Sequence, residues 1–425
     1  MITALLIFVF VAGYAAIAFE HPLKLNKAAS ALITGVLCWT IYILQSETTH
    51  LVGEELLHHL GEIASILFFL LGAMTIVELI DSHDGFDIIT QKIKTTSKSK
   101  LLLLITAITF FLSALLDNLT TAIVMTSLCS KILCEKEDRL WFAGMIVIAA
   151  NAGGAWSPLG DVTTTMLWIG GQITALNIMK QLILPSLAAS ILPALIVAYR
   201  FRGKKIAVIP ETTSTTKEKR DGQIILFSGL GFLIFVPVFK TITHLPPFMG
   251  MLMALGLMWI ITTIIHKNKD SEIAEKYTVA RALQRVDTPS ILFFLGILLA
   301  VSALQSVGLL KELAAVLTNT FKNDYLIGIA LGLISAIVDN VPLVAASQGM
   351  FDLATYPTDH PFWEFLALTT GTGGSAVIIG TAAGVAVMGI EQIDFMWYLK
   401  KIGWLALVGF TAGILIFLLQ LQLAG

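Results

Sequence analysis

Residues 101 to 133 read LLLLITAITFFLSALLDNLTTAIVMTSLCSKIL, and residues 324 to 352 read DYLIGIALGLISAIVDNVPLVAASQGMFD. Both are apolar and longer than the roughly 20 residues a helix needs to cross a bilayer. Both carry an Asp-Asn pair near the middle, which hydrocarbon does not tolerate facing lipid. Such a segment is either a long tilted span or a hairpin that returns to the side it entered from. The choice decides how the whole chain is threaded.

The remainder of the chain sets the frame. Of 425 residues, 56% are hydrophobic and only 13% charged, where a soluble domain carries roughly 25% charged residues. A water-soluble globule is excluded. Apolar runs at about 2–19, 28–45, 62–81, 140–170, 178–200, 223–240, 247–266, 288–308, 362–390 and 396–422 read as further membrane segments of an all-α polytopic protein. A net charge of −2 and the lack of a basic stretch interleaved with aromatics exclude nucleic acid as a partner. Residues 1–19 lack a basic n-region, so the first apolar run is expected to be retained rather than cleaved. Cys38, Cys129 and Cys134 have neither zinc-ligand nor disulfide spacing and read as small buried hydrophobes.

The one long polar stretch, Arg200 to Gln223, reads as a cytoplasmic linker (200–222) between two halves, 1–199 and 223–425. The halves repeat. Ser65–Leu70 (SILFFL) recurs as Ser290–Leu295, Asp117-Asn118 as Asp339-Asn340, and Gly153-Gly154 with Gly160 as Gly373-Gly374 with Gly380, all in the same order. A duplicated unit of six segments follows.

Charge distribution decides between span and hairpin, because cytoplasmic loops collect Lys and Arg. If both Asp-Asn segments return to their side of entry, all of the 27 Lys and Arg except Lys180, Lys240, Lys311 and Lys322 fall on the cytoplasmic side. If both cross, the basic residues divide almost evenly. Hairpins are therefore expected, each unit having five transmembrane helices and one re-entrant hairpin. An odd number of crossings turns the second unit over, so the fold expected is two inverted repeats whose hairpin tips approach each other near the midplane.

A carboxylate in hydrocarbon costs about 2.5–3.5 kcal/mol on insertion scales and is normally placed where a polar cavity or an ion compensates. Asp117-Asn118, followed by Thr120 and Thr121, and Asp339-Asn340 offer oxygens of the type a hard cation prefers. The plainer reading of Asp117 and Asp339, that they cap the helices that follow, is compatible with this role. The stretch Asn151-Ala-Gly-Gly-Ala-Trp-Ser-Pro-Leu-Gly-Asp161-Val-Thr163-Thr164-Thr165 should break a helix at mid-membrane through its glycines and Pro158. Its counterpart Gly371-Thr-Gly-Gly-Ser375 to Thr381 puts Gly371 opposite Asn151 and Thr381 opposite Asp161, so the halves are chemically unequal. Three carboxylates are then expected at the centre, Asp117, Asp161 and Asp339, with no basic residue in the middle of these segments. Glu78, Asp81 and Glu391, at segment ends, read as snorkelling to water. His50, His58 and His59 read as a solvated outer loop, and Trp39, Tyr42, Trp397 and Tyr398 as interface anchors.

At these residues the chain resembles the NhaD-type sodium/proton antiporters of the ion transporter superfamily. The two Asp-Asn motifs, NAGGAWSPLGDVTTT and GTGGSAVIIG occur in the expected order over nearly the whole chain. The resemblance implies a multi-pass protein of the bacterial inner membrane. It further implies a homodimer whose transport domain, holding both hairpins and both broken helices, moves as an elevator against a scaffold. Carried over by motif, the ion-site residues would be Asp117, Asn118, Asn151, Asp161, Thr163, Thr164, Asp339, Asn340 and Ser375. No resident cofactor is expected; Na⁺, Li⁺ and protons would be the cargo, and an enzymatic role is not expected.

Dicarboxylate or arsenite-like anion carriers of the same superfamily are the nearest rival, but typically carry Ser-Asn-Thr at both tips. Asp117 and Asp339 stand at those serine positions and would repel an anion. An intramembrane aspartyl protease with Asp117 and Asp339 as a dyad accounts for two buried carboxylates, yet not for the repeated Asn or the glycine-rich breaks. Nothing in the sequence marks the open pore of a channel. The expected mechanism is competition of Na⁺ and protons for the central carboxylates, active at neutral to alkaline pH.

Overall fold

The computed structural model describes residues 2–18, 20–46, 48–86, 95–206, 216–267 and 277–424. Among these residues the chain is 82% helical with no strand. The first half contains α1 (Ile2–Ala18), α2 (Glu20–Leu23), α3 (Lys27–Gln45), α4 (Thr49–Ser82), α5 (Lys98–Ser113), α6 (Asn118–Ile132), α7 (Lys136–Ala155), α8 (Val162–Ile169) and α9 (Ala175–Arg200). The second contains α10 (Thr216–Thr243), α11 (Pro247–His266), α12 (Val279–Arg285), α13 (Thr288–Ser306), α14 (Leu309–Phe321), α15 (Asp324–Ile334), α16 (Asn340–Met350), α17 (Pro361–Gly373), α18 (Ala382–Glu391) and α19 (Phe395–Tyr398). A π turn, Leu399–Gly403, joins α19 to α20 (Trp404–Ala424). Seven of the described helices are long and apolar enough to cross a membrane, as a multi-pass membrane protein requires. Part of the polar stretch read as a linker, 207–215, lies outside the described residues.

Local chemistry sets where these helices start. Asn26, Ser97, Thr174, Thr278, Asp287, Asn323 and Asp394 each accept a hydrogen bond from a first-turn N–H of the helix that follows, an interaction typically worth about 1 kcal/mol. Burial sets how they pack. The central helix α17 is buried from Phe362 to Gly373 and α7 from Trp141 to Ala155, as all-round apolar helices in a protein core should be.

Both Asp-Asn segments turn back. Lys98, at the start of α5, forms ion pairs with Glu135 and Asp138, which follow α6, so both ends of this segment lie at one end of the molecule. Asp324, at the start of α15, accepts a hydrogen bond of 2.9 Å from the hydroxyl of Tyr356, which follows α16. The two open ends face opposite ways. Arg139, beginning α7, meets Glu391, ending α18, at 3.0 Å; at the far end of these helices the Thr174 hydroxyl donates to Asp359, just before α17, at 2.8 Å. Thus α7 begins where α18 ends, and the segment after α8 meets the start of α17.

Corresponding residues repeat their contacts. The Ser113 hydroxyl donates to the Ala150 carbonyl, and that of Ser335 is shared between the Gly332 carbonyl at 2.7 Å and the Thr370 carbonyl at 3.1 Å. Gly153 lies against the Phe110 carbonyl and Gly373 against the Gly332 carbonyl; Gly160 faces the Ser113 carbonyl and Gly380 the Ser335 carbonyl. A Cβ at Gly153 or Gly373 would overlap main-chain atoms that cannot rotate away. This revises the reading of the paired glycines. In α7 the helix runs one residue past them, to Ala155, whereas α17 ends at Gly373 with Gly374 as its cap; in both, the first glycine of the pair also lets a hairpin arm pack on the helix, the small-residue contact that membrane helices favour. The break follows, at residues 156–161, where the Pro158 carbonyl accepts from the Thr165 hydroxyl.

Helices α1–α4 and α10–α13 form one group, in which α3 and α13 cross at Gly35 and Gly296 and α4 meets α11 at Gly72 and Met251. Helices α5–α9 and α15–α20 form a second group around α7 and α17. Several end-of-segment readings change here. Trp39 and Tyr398 are buried rather than interfacial, Trp39 donating to the Leu299 carbonyl at 2.9 Å and Tyr398 to the Ser375 carbonyl at 2.9 Å. Glu391 is buried against Arg139 instead of reaching water. His50, His58 and His59 lie on the first turns of α4, not in a loop, and Cys134 is exposed.

Candidate functional site

Four helix N-termini meet at the centre of the second group. Each begins at a side-chain cap: Asp117 accepts from Thr120 N at 2.7 Å, Asp339 from Val341 N at 3.1 Å, Asp161 from Thr163 N at 3.0 Å and Thr381 from Gly384 N at 3.2 Å. The hairpin tips supply the first two and the broken helices the others. The geometry follows from the breaks, because each helix that restarts within the protein presents unpaired N–H groups to its cap.

The side chains of the two halves interlock. Asn118 Nδ2 donates to Asn151 Oδ1 and to Asp161 Oδ2, both at 3.0 Å. Asn340 Nδ2, from the other tip, reaches the same Asp161 oxygen at 3.5 Å. Asn151 Nδ2 donates to the Ser375 hydroxyl at 2.9 Å and to the Thr381 hydroxyl at 3.1 Å. Asp161 thus binds both hairpins, and Asn151 ties the first broken helix to the second. Asp161 is 1% exposed and Asn151 fully buried.

Of the nine residues singled out in the sequence, Asn118, Asn151, Asp161, Asn340 and Ser375 share this hydrogen-bonded network. Asp117 and Asp339 stand at its edge. Each carboxylate bonds within its own tip, Asp117 also accepting from the Thr120 hydroxyl at 2.6 Å, which is not the mutual bond of a proton-sharing dyad. Both lie near enough to act electrostatically on Asp161. Thr163 presents a buried hydroxyl without a hydrogen bond beside Asp161. Thr164 turns away, its hydroxyl 3.4 Å from the Ala155 carbonyl.

Three participants escaped the sequence reading. Thr381, noted only as the counterpart of Asp161, accepts from Asn151. Ser157 fastens the first broken helix to the first hairpin by donating to the Ala114 carbonyl. Lys27, at the start of α3 and outside the Asp-Asn and glycine-rich segments, lies near enough to Asp339 to act on its charge. No cluster of three or more His, Cys, Asp and Glu side chains among the described residues could cage a multivalent metal. The oxygens here are carboxylate, amide and hydroxyl groups on separate elements, a donor set for a weakly held hard cation.

A family model described as a citrate transporter matches residues 14–371. Sodium/proton antiporter 1 of Arabidopsis thaliana is 46% identical over 407 residues, covering 96% of this chain and 70% of the relative. Sodium/proton antiporter 2 of the same plant is 43% identical, over 96% of this chain and 97% of the relative. The Na⁺/H⁺ antiporter NhaD of Vibrio cholerae is 31% identical, over 97% of this chain and 90% of the relative.

Proposed function

From the premise that the chain belongs to the NhaD-type sodium/proton antiporters of the ion transporter superfamily, we propose that it exchanges Na⁺, and Li⁺ as a second cargo, for protons at Asp161. The observation that carries this reading is the company of that carboxylate. Asp161 is buried, its oxygens are held by neutral donors, and the charges acting on it are two further carboxylates. Burying an ionised carboxylate without a cation is costly. A sodium ion or a proton at the centre removes that cost, and the two compete because they satisfy the same charge.

The remaining steps follow from alternating access. The two duplicated units, 1–199 and 223–425 with 200–222 between them, are read as inverted repeats, each with five crossings and one re-entrant hairpin. The group of α5–α9 and α15–α20 carries the loaded site across, as an elevator, against a scaffold of α1–α4 and α10–α13, in a homodimer. With neither Na⁺ nor proton aboard, the charged site is trapped, so leak is suppressed. Asp161 holds the cargo; Asn118, Asn340, Asn151 and Ser375 position it; Thr163 supplies a hydroxyl oxygen; Asp117 and Asp339 raise the attraction for cations and repel anions. Thr164 serves the helix break rather than the ion. The membrane is the bacterial inner membrane in this reading, although two of the relatives are from a plant.

The matched citrate transporter model keeps an anion carrier in view. The discriminating experiment uses everted vesicles loaded with a pH-sensitive dye. Addition of NaCl should release the stored proton gradient, and choline chloride should not. Sodium-stimulated uptake of labelled citrate without proton movement would replace this proposal by the anion reading.

A further inference from the structure

Hydrogen bonds divide this protein into two bodies. Side-chain bonds among the described residues join elements within α1–α4 and α10–α13, or within α5–α9 and α15–α20, with one exception. Lys240, in the last turn of α10, donates from Nζ to the Trp168 carbonyl at 2.8 Å, and its ammonium lies 4.7 Å from the centre of the Trp168 ring. Elsewhere the bodies meet by packing, such as Phe69 edge-on to the same indole at 6.2 Å, and Lys27 and Tyr14 of the first body lie near enough to Asp339 of the second to interact with its charge. Lys240 is partly buried, and no carboxylate pairs with it among the described residues.

Trp168 occupies the last turn of α8, the eight-residue half-helix whose first turn is capped by Asp161. A cation at a helix C-terminus is favoured by the negative end of the helix dipole, here at a carbonyl that also accepts from Gly171 N at 3.3 Å, and an ammonium over an indole face gains further. From within its own body α8 is held by Gln348, whose amide donates to the Met166 carbonyl at 3.1 Å. From the other body it is held by Lys240. A bond of this kind between surfaces that slide must break when they slide.

We propose that Lys240 is a latch: a positioning residue that clasps the C-terminal end of α8 while the transport body occupies the position seen here, and releases Trp168 each time the site changes sides. The latch rests on the two-body exchange reading above. It weights the two positions unequally without touching the ion.

The test compares wild-type protein, Lys240→Met and Lys240→Arg in proteoliposomes. Wild-type exchange is the control for the underlying reading; if it is absent, that reading fails, independently of the latch. Given wild-type exchange, Lys240→Met should shift the maximal exchange rate about tenfold, since a change of about 1.4 kcal/mol between two positions is tenfold in their ratio. Equilibrium sodium binding in detergent should move much less, because Lys240 does not contact the site. Lys240→Arg, which keeps a cation for both the carbonyl and the ring, should restore the rate to within about twofold. A Trp168→Cys/Lys240→Cys pair joined by a short bis-thiol reagent should stop exchange until the link is reduced. The proposal is overturned if Lys240→Met exchanges at the wild-type rate, if Met and Arg behave alike, or if the linked protein transports normally.

Discussion

Replacing Asp161 by asparagine separates ion chemistry from folding more sharply than any other single change. The carboxylate has two oxygens in use: Oδ1 accepts from Thr163 N, and Oδ2 accepts from Asn118 at 3.0 Å and Asn340 at 3.5 Å. An asparagine amide has one oxygen. If it keeps the cap, its NH₂ faces the amide donors of both tips; if it keeps the tips, Thr163 N is left without a partner. Either way at least one buried donor is stranded, which costs about 1–3 kcal/mol. The variant should therefore purify as a folded protein with a modestly lowered melting temperature. Its sodium-driven proton movement should nevertheless fall more than 100-fold, because the neutral amide has no charge for Na⁺ or a proton to satisfy. The assay is dye-reported exchange in everted vesicles, with monodispersity and thermal melting measured in detergent. Wild-type exchange rates in folded Asp161→Asn would refute the assignment of this carboxylate.

Other expectations follow from the packing. Arg139→Ala would leave the buried Glu391 carboxylate without its partner, and breaking a buried pair in this way costs about 3–5 kcal/mol; a pronounced drop in melting temperature should result, relieved by adding Glu391→Gln. Gly153→Ala and Gly373→Ala should each abolish recovery of folded protein, because the new methyl meets hairpin main chain, whereas Gly53→Ala, with open space around it, should be tolerated. Ser113→Ala and Ser335→Ala should each lower stability by about 1 kcal/mol through loss of one buried hydrogen bond, measured by thermal melting. Their effects should be similar, since the two hydroxyls occupy corresponding positions.

The hairpins were legible because charge counting and an intolerable Asp-Asn pair both act over short range and need no knowledge of packing. A fuller signal stood beside the Asp-Asn pairs: Ser113-Ala-Leu-Leu-Asp-Asn and Ser335-Ala-Ile-Val-Asp-Asn match beyond them, and both serines reach the broken helix beside their hairpin, at Ala150 and Thr370. What was not legible is which apolar surface meets protein and which meets lipid. Hydropathy is the same for both, so Trp39 and Tyr398 passed for interface anchors until their buried hydrogen bonds appeared. Charged segment ends failed for a related reason, since whether Glu391 reaches water or Arg139 depends on a contact 252 residues away. In the sequence the glycine pairs read as helix breaks alone, yet glycine also serves a close crossing: Gly153 meets the Phe110 carbonyl and Gly373 the Gly332 carbonyl, while α17 still ends at its pair. Asn151 and Ser375, bonded across 224 residues, were found separately by motif but not as a pair.

The account's central claim is that one buried carboxylate site takes either sodium or protons. Calorimetric titration of the purified protein with NaCl, repeated across a series of pH values and in buffers of different ionisation enthalpy, tests it most directly. Sodium binding should be accompanied by proton release, and its apparent affinity should weaken steadily as pH falls. Sodium that binds with the same affinity at every pH and displaces no proton would contradict the account.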